Sequence, residues 1–188
     1  MARWEPDSRG RLEQAALELY AERGFENTTV AEIAARAGLT ERTFFRHFAD
    51  KREVLFWGAS ALEELLVSAV DTAPESASPI EAITSALEAT GPLFEERRDR
   101  AQQRQLVIVA NTELRERELI KLASLASALA GALRRRGVAE PAATLTAEAG
   151  IAIFRVAFAR WLSGIDSRGL PQHIRESLGE LQTVTAGR

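Results

Sequence analysis

Apolar residues in this chain recur at three- and four-residue intervals along almost its whole length, and no run alternates with the two-residue period of a strand. Leu12, Ala15, Ala16, Leu19 and Tyr20 set the pattern, which buries one stripe of a helix and wets the other. A chain patterned this way can build its core only by stacking helices, so an all-α fold is expected. The helix boundaries are written in the polar residues. Ser8 is expected to cap the first helix and Gly24 to end it. Thr29-Val30-Ala31-Glu32 is a capping-box pattern, in which hydroxyl and carboxylate satisfy each other's open amides. Thr40 can cap a third helix, and Asp50-Lys51-Arg52-Glu53 offers the start of a fourth. The second and third of these helices are separated only by the turn Ala37-Gly38-Leu39.

Past residue 56 the segments become longer and more apolar, broken by Pro, Ser and Gly at 73–79, 91–92, 136–141 and 164–171. Helices are expected near 51–70, 79–97, 99–110, 112–136, 141–163 and 171–183, with Asn111 capping the one that begins at Thr112. The resulting organisation is an N-terminal three-helix domain over 1–53 that contains a helix-turn-helix, and a larger helical bundle over 54–188 for ligand binding and dimerisation.

The block from Val30 to Phe48 carries the chemistry. Val30, Ile33, Ala34 and Ala37 line one face of a short helix, and Ala34 is small where a second helix would cross. Gly38 supplies the turn and Leu39 plugs the corner. Phe44 and Phe48, four apart, point back to Leu19. The outer face of the next helix then shows Arg42, Thr43, Arg46 and His47, with Phe45 on its flank. Arginine can grip guanine bidentately, and threonine or an aromatic ring can pack on a thymine methyl, so this helix suits the major groove. Net charge is −3, yet residues 40–52 hold Arg42, Arg46, Lys51 and Arg52 against Glu41 and Asp50. Where the cations sit matters more than the sum. Taken singly, each residue also suits a plainer role: solvated arginine, core phenylalanine, capping threonine.

The same residues carry a resemblance. The stretch FENTTVAEIAARAGLTERTFFRHFADKREVL, residues 25–55, resembles the DNA-binding domain of TetR-family repressors. Their signature is close to G-F-x-x-T-T-V-x-x-I-A-x-x-A-G-V-S-x-x-T-x-Y-x-Y-F-x-x-K-x-x-L. The match is ungapped and covers about residues 9–57. The resemblance implies a cytoplasmic homodimer that binds a palindromic operator and is released by a small molecule entering the larger domain. It places Thr29, Thr40, Phe45, His47 and Lys51 on phosphates and flank, and Arg42, Thr43 and Arg46 on bases. Phe45 stands where the family usually has tyrosine, and His47 replaces a common aromatic. The run TFFRHF followed by Phe56-Trp57 is similar to an actinobacterial subgroup that includes regulators of mycofactocin-type clusters.

In the larger bundle, Leu122, Leu125, Leu129 and Leu133 form one stripe, and Ala123, Ala126, Ser127, Ala130 and Gly131 form a region poor in bulk. Leu62, Leu66, Phe94, Leu106, Val109, Leu125, Leu129, Phe154 and Phe158 are candidate pocket walls, and each suits plain core as well. Arg155 interrupts the apolar run 151–162, as does Arg160. A buried arginine needs a partner, so Arg155 is a candidate for an anionic ligand group, an ion pair or an exposed rim position. Ile174, Leu178 and Leu181, with Ile151, Ala152 and Ala159, are candidates for a two-fold four-helix interface. The expected effector is hydrophobic or amphipathic.

Other classes fit poorly. With no cysteine and two distant histidines, His47 and His173, neither a disulfide nor a metal site is expected. No Glu-x-x-His pair, nucleophile elbow or phosphate loop is present, so neither catalysis nor a cofactor is expected. The N-terminus lacks an apolar signal core, and no 18 apolar residues run uninterrupted, which makes the cytoplasm the expected compartment. The competing reading is a helical ligand-binding or scaffold protein whose helix-turn-helix is non-functional.

Overall fold

The computed structural model of the chain describes residues 7–164 and 167–187. They form α1 (Ser8–Arg23), α2 (Val30–Arg36), α3 (Glu41–His47), a 3₁₀ turn (Glu53–Leu55), α4 (Ala59–Asp71), α5 (Pro79–Ala89), α6 (Gly91–Glu95), α7 (Arg98–Ala110), α8 (Thr112–Arg135), α9 (Ala142–Ser163) and α10 (Leu170–Thr185). Among the described residues there is no strand. The chain divides into two compact units.

The first unit joins the described residues up to Gly58 with Asp99–Glu118. Its core is built from the inner face of α1 (Leu12, Ala15, Ala16, Leu19, Tyr20), from Ile33 and Ala37 on one side of the turn, and from Phe44 and Phe48 on the other. Val107, Ile108 and Leu114 belong to the same core. The boundary expected after residue 53 therefore leaves out part of this unit, because three apolar residues from much later in the chain complete it. Polar clasps hold the late segment in place. Arg104 donates to the Leu55 carbonyl at 2.6 Å and to Glu118 at 3.1 Å, and its guanidinium lies over the Phe56 ring. Arg117 pairs with Glu53, and Arg52 pairs with both Asp50 and Glu113. Burial draws the Arg104 pKa below its ordinary value, opposed by the Glu118 carboxylate; a guanidinium remains charged regardless.

Several local expectations are revised here. Asp7, not Ser8, caps α1: its Oδ1 accepts the Gly10 amide at 2.9 Å, and Ser8 becomes the first helical residue. Asp50 does gather the amides of Arg52 and Glu53, but the turn it starts is a single 3₁₀ turn, and α4 begins afresh at Ala59. Val54, Leu55 and Phe56 are all drawn into the core. Asn111 finishes α7 by donating to Val107 O at 2.6 Å. The helix expected over 79–97 splits at Thr90 into α5 and α6.

The second unit comprises Ala59–Arg98 and Leu119–Arg188, of which the described residues fold into a bundle where α5, α9 and α10 pack on one another and α4 lies against α5. Ser78 and Glu81 form a capping box that spans Pro79 at the first helical position, so the start of α5 is set locally. The helix α9 is long and apolar enough to cross a membrane. Its buried residues Ala143, Ala147, Gly150, Ile151, Phe154 and Ala157 account for that composition as one face of a packed helix.

Gly150 is where α9 meets α5. A Cβ there would lie 2.3 Å from Ile83 Cγ2, on a β-branched side chain with little rotameric freedom. Gly150→Ala is therefore expected to destabilise the protein by about 1–3 kcal/mol despite alanine's better helix propensity. Gly179→Ala on α10, with nothing within 4 Å, should instead stabilise by about 0.5–1 kcal/mol. Urea denaturation of the pair measures both, and a neutral Gly150→Ala would show that α5 and α9 can part at no cost.

Candidate nucleic-acid interface

The helix-turn-helix is made by a few local bonds. Thr29 and Glu32 complete their capping box, and the Thr40 hydroxyl accepts the Thr43 amide at 3.2 Å. Between the two helices Gly38 takes φ 67°, a left-handed conformation that other residues resist, and Leu39 N–H reaches back to Ala34 O at 2.8 Å. Arg11 of α1 donates to the Ala37 carbonyl, tacking the turn to the scaffold. Ala34, small where the helices were expected to cross, is buried, and so is Ala37 on the same inner face.

With Phe44 fully buried and Phe48 nearly so, the rotation of α3 about its axis is set. Arg42, Phe45 and Arg46 consequently face solvent, with Thr43 and His47 half-buried beside them. Phe45 is 55% exposed, with its ring edge-on to Phe44. The exposed part of this ring shares the outer face of α3 with the guanidinium groups of Arg42 and Arg46, a combination that suits contact with a nucleic acid.

His47 Nε2 lies 3.2 Å from the Ser8 hydroxyl. Its pKa sits below the ordinary imidazole value, through burial first and then the cations Arg46 and Arg9. The sign follows: the unfolded chain takes up this proton before the folded one does. This contribution to stability is thus complete above about pH 6.5 and declines as pH falls through the unfolded value toward the folded one.

Thr29 and Thr40 are exposed at the starts of α2 and α3. Thr29 is already engaged: its amide and its hydroxyl both donate to Glu32 Oε2, at 2.9 and 2.8 Å. These bonds hold the Glu32 carboxyl below its ordinary pKa. Lys51 is occupied more fully. Its Nζ donates to the carbonyls of Phe25 (2.8 Å), Thr28 (3.0 Å) and Glu26 (3.3 Å), and it lies 4.4 Å from the centre of the Phe25 ring.

The expected pocket residues fall into separate places. Phe94, Phe154 and Phe158 come together, with ring centroids 5.2 to 6.0 Å apart, and Trp161 joins them 5.5 Å from Phe158. Leu66, Leu125 and Leu129 are buried and Leu62 is half-buried. Leu106 and Val109, expected as pocket walls, are 68% and 58% exposed, because α7 turns only Val107 and Ile108 inward. Arg155 is exposed, so no buried charge there calls for a ligand. Arg160 is also exposed, 3.9 Å from Glu176. A groove of about 160 Å³ is lined by Ala126, Ser127, Ala130, Arg134, Thr144 and Glu148, none of them an expected pocket wall except as the small-residue region of α8. Sequence reading missed Trp161: its indole Nε1 is buried with no hydrogen-bond partner, under the guanidinium of Arg98, which also donates to the Trp161 carbonyl at 2.7 Å.

Of the expected two-fold face, Ala152 and Ala159 on α9 are exposed, and Leu178 and Leu181 on α10 are half-buried. Ile151 and Ile174 are 6% and 0% exposed. They are spent inside the bundle and cannot present a surface to a second copy. Val156 and Leu145 take up the exposed apolar positions of α9 instead.

Residues 13–56 match the family model for bacterial regulatory proteins of the tetR family, and residues 77–186 match the MftR C-terminal domain. The chain is 40% identical over 82 residues to the transcriptional regulator TcmR of Streptomyces glaucescens, covering 44% of this chain and 36% of that one. It is 28% identical over 125 residues to a Mycobacterium tuberculosis protein named as the mycofactocin biosynthesis transcriptional regulator MftR, covering 66% and 63%. The matched segments thus span less than two thirds of either relative. In fold it is similar to FadR of Thermus thermophilus, a repressor solved in complex with lauroyl-CoA, at TM-score 0.57 and 24% identity over 93% of both chains.

Proposed function

This chain belongs to the TetR family of bacterial regulatory proteins, with an MftR-type C-terminal domain, and on that premise we propose that it is a ligand-responsive, sequence-specific DNA-binding regulator acting in the cytoplasm. It works as a homodimer on a palindromic operator and represses until a hydrophobic or amphipathic small molecule releases it. The observation that carries this reading is α3: Phe44 and Phe48 lock one face into the core, and the opposite face offers Arg42, Phe45 and Arg46 to solvent. Arg42, Thr43 and Arg46 read base edges, and Thr29, Thr40, Phe45 and His47 line the flanking backbone. A two-fold places two such helices about 34–36 Å apart, one turn of the duplex.

The effector lies in the second unit, around Phe94, Phe154, Phe158 and Trp161, where a buried indole N–H awaits an acceptor. Lauroyl-CoA in a repressor of similar fold supports an amphipathic acyl compound as the class to try first. A difference of about 1–3 kcal/mol in its affinity for the two arrangements of the dimer suffices to release DNA measurably.

Fluorescence anisotropy with duplex DNA from upstream of its own gene tests the reading. Specific binding is expected to weaken steeply with salt. Arg46→Ala should cost about 1–3 kcal/mol on the preferred duplex and relax the base preference at one position. Binding with no sequence preference would identify the alternative, a helical ligand-binding or scaffold protein with a non-functional helix-turn-helix.

A further inference from the structure

We infer that Lys51 is a positioning residue for DNA recognition rather than a phosphate contact: its ammonium group ties the exit of the recognition helix to the loop that leads into α2. This inference rests on the DNA-binding reading above. An ammonium group has three protons and no acceptor. All three find carbonyl oxygens here, on Phe25, Glu26 and Thr28, at 2.8, 3.3 and 3.0 Å. The Phe25 ring lies against the same ammonium group, its centre 4.4 Å from Nζ. A phosphate approaching Lys51 would have to break this cradle and leave three carbonyls, two of them on the buried residues Phe25 and Thr28, without their donor.

The backbone of Lys51 is held as well. The Tyr20 hydroxyl donates to Lys51 O at 2.7 Å, and Tyr20 packs edge-on against Phe25 with centroids 5.2 Å apart. Thr28, the last carbonyl in the cradle, is buried with its hydroxyl bonded to Gly24 O, and it immediately precedes the capping residue Thr29. The cradle therefore joins three elements at one point: the end of α1, the start of α2, and the segment leaving α3. The α2 start and the α3 axis are the two parts of a helix-turn-helix whose relative placement decides whether side chains meet base edges. Lys51 holds that placement, and its charge is spent doing so.

The test uses a duplex enriched by the wild-type protein from a random-sequence pool, a scrambled duplex of equal length, and the variants Lys51→Met and Lys51→Arg. Both keep an apolar stem. Arginine also keeps the charge, but its planar fork cannot aim three protons at converging carbonyls. Expected for both variants is a fall of about tenfold or more on the enriched duplex, an unchanged affinity for the scrambled one, and an unchanged slope of log K against log salt. Faster amide exchange at residues 28–32 should accompany it. A phosphate contact would behave otherwise: the slope would drop by about 0.9, both duplexes would lose affinity alike, and arginine would restore binding. That outcome overturns the inference. So does full affinity in both variants.

A measurement on the unaltered protein guards against misfolded variants. The chain has two lysines, Lys51 and Lys121, so amine labelling followed by peptide mass analysis reads Lys51 directly. It is expected to label far more slowly in the native protein than in urea, and equally slowly with and without the enriched duplex. Free labelling that DNA then blocks would overturn the inference. If the pool yields no enriched duplex, the DNA-binding function and this role fall together. An enriched duplex bound normally by both variants removes only the role of Lys51.

Discussion

Phe44→Ala is expected to destabilise the first unit by about 3–5 kcal/mol, the range for deleting a fully buried phenylalanine, and to abolish operator binding before the rest of the protein unfolds. Phe44 has no exposed surface and packs its ring 5.3 Å from Phe48 and 5.5 Å from Phe45. The helix it anchors is only seven residues long, too short to hold itself together by its own hydrogen bonds. Its existence and its rotation both derive from Phe44 and Phe48. An alanine at 44 leaves a cavity in a small core and frees α3 to turn, so that Arg42 and Arg46 no longer aim at one groove. Denaturant unfolding followed by circular dichroism gives the stability change, and anisotropy on the enriched duplex gives the binding. A loss under about 1 kcal/mol would show that α3 is held by something other than its aromatic face.

Ala152→Glu should leave each copy folded and yet dissolve the dimer. Ala152 is exposed on α9 in the single chain, so the substitution costs the bundle little. Two copies meeting through α9 and α10 would instead bury a carboxylate on each side of the two-fold, and stripping its water costs several kcal/mol per charge. A monomer keeps one recognition helix and loses the effective concentration that links the second, so operator affinity should fall about 10²–10⁴-fold. Sedimentation velocity reports the dissociation, and anisotropy reports the affinity. A variant that remains dimeric with full operator affinity would move the interface away from α9. The same substitution at Ile151 would be a poor test, because that side chain is buried within one copy and its loss would unfold the bundle.

The helix-turn-helix was legible because its determinants are close together in the chain. The Thr29 box, the Gly38 turn, the small Ala34 and the Phe44/Phe48 pair act over one to five residues, and each appears in the structure in the role its chemistry suggests. Even the capping errors are local: Asp7 is one residue from Ser8, and an aspartate does the same job. The larger unit was less legible. Alanine and leucine stripes on α8, α9 and α10 suit core, pocket and dimer face equally, since an apolar side chain has no direction of its own. Ile151 and Ile174 were expected at a two-fold and are core, whereas Val156 was not singled out and is exposed.

Short-range chemistry, then, was enough to determine that the chain is helical, where most helices begin and end, and which face of α3 meets solvent. Tertiary structure alone decided that Val107, Ile108 and Leu114 complete the core of the first unit, and that the charge of Lys51 is turned on three carbonyls 23 to 26 residues back in the chain. The physical reason is one of range. Caps and turns are closed by neighbours, whose identities are printed side by side, while a buried stripe or an ammonium group takes whichever partner the folded chain brings to it.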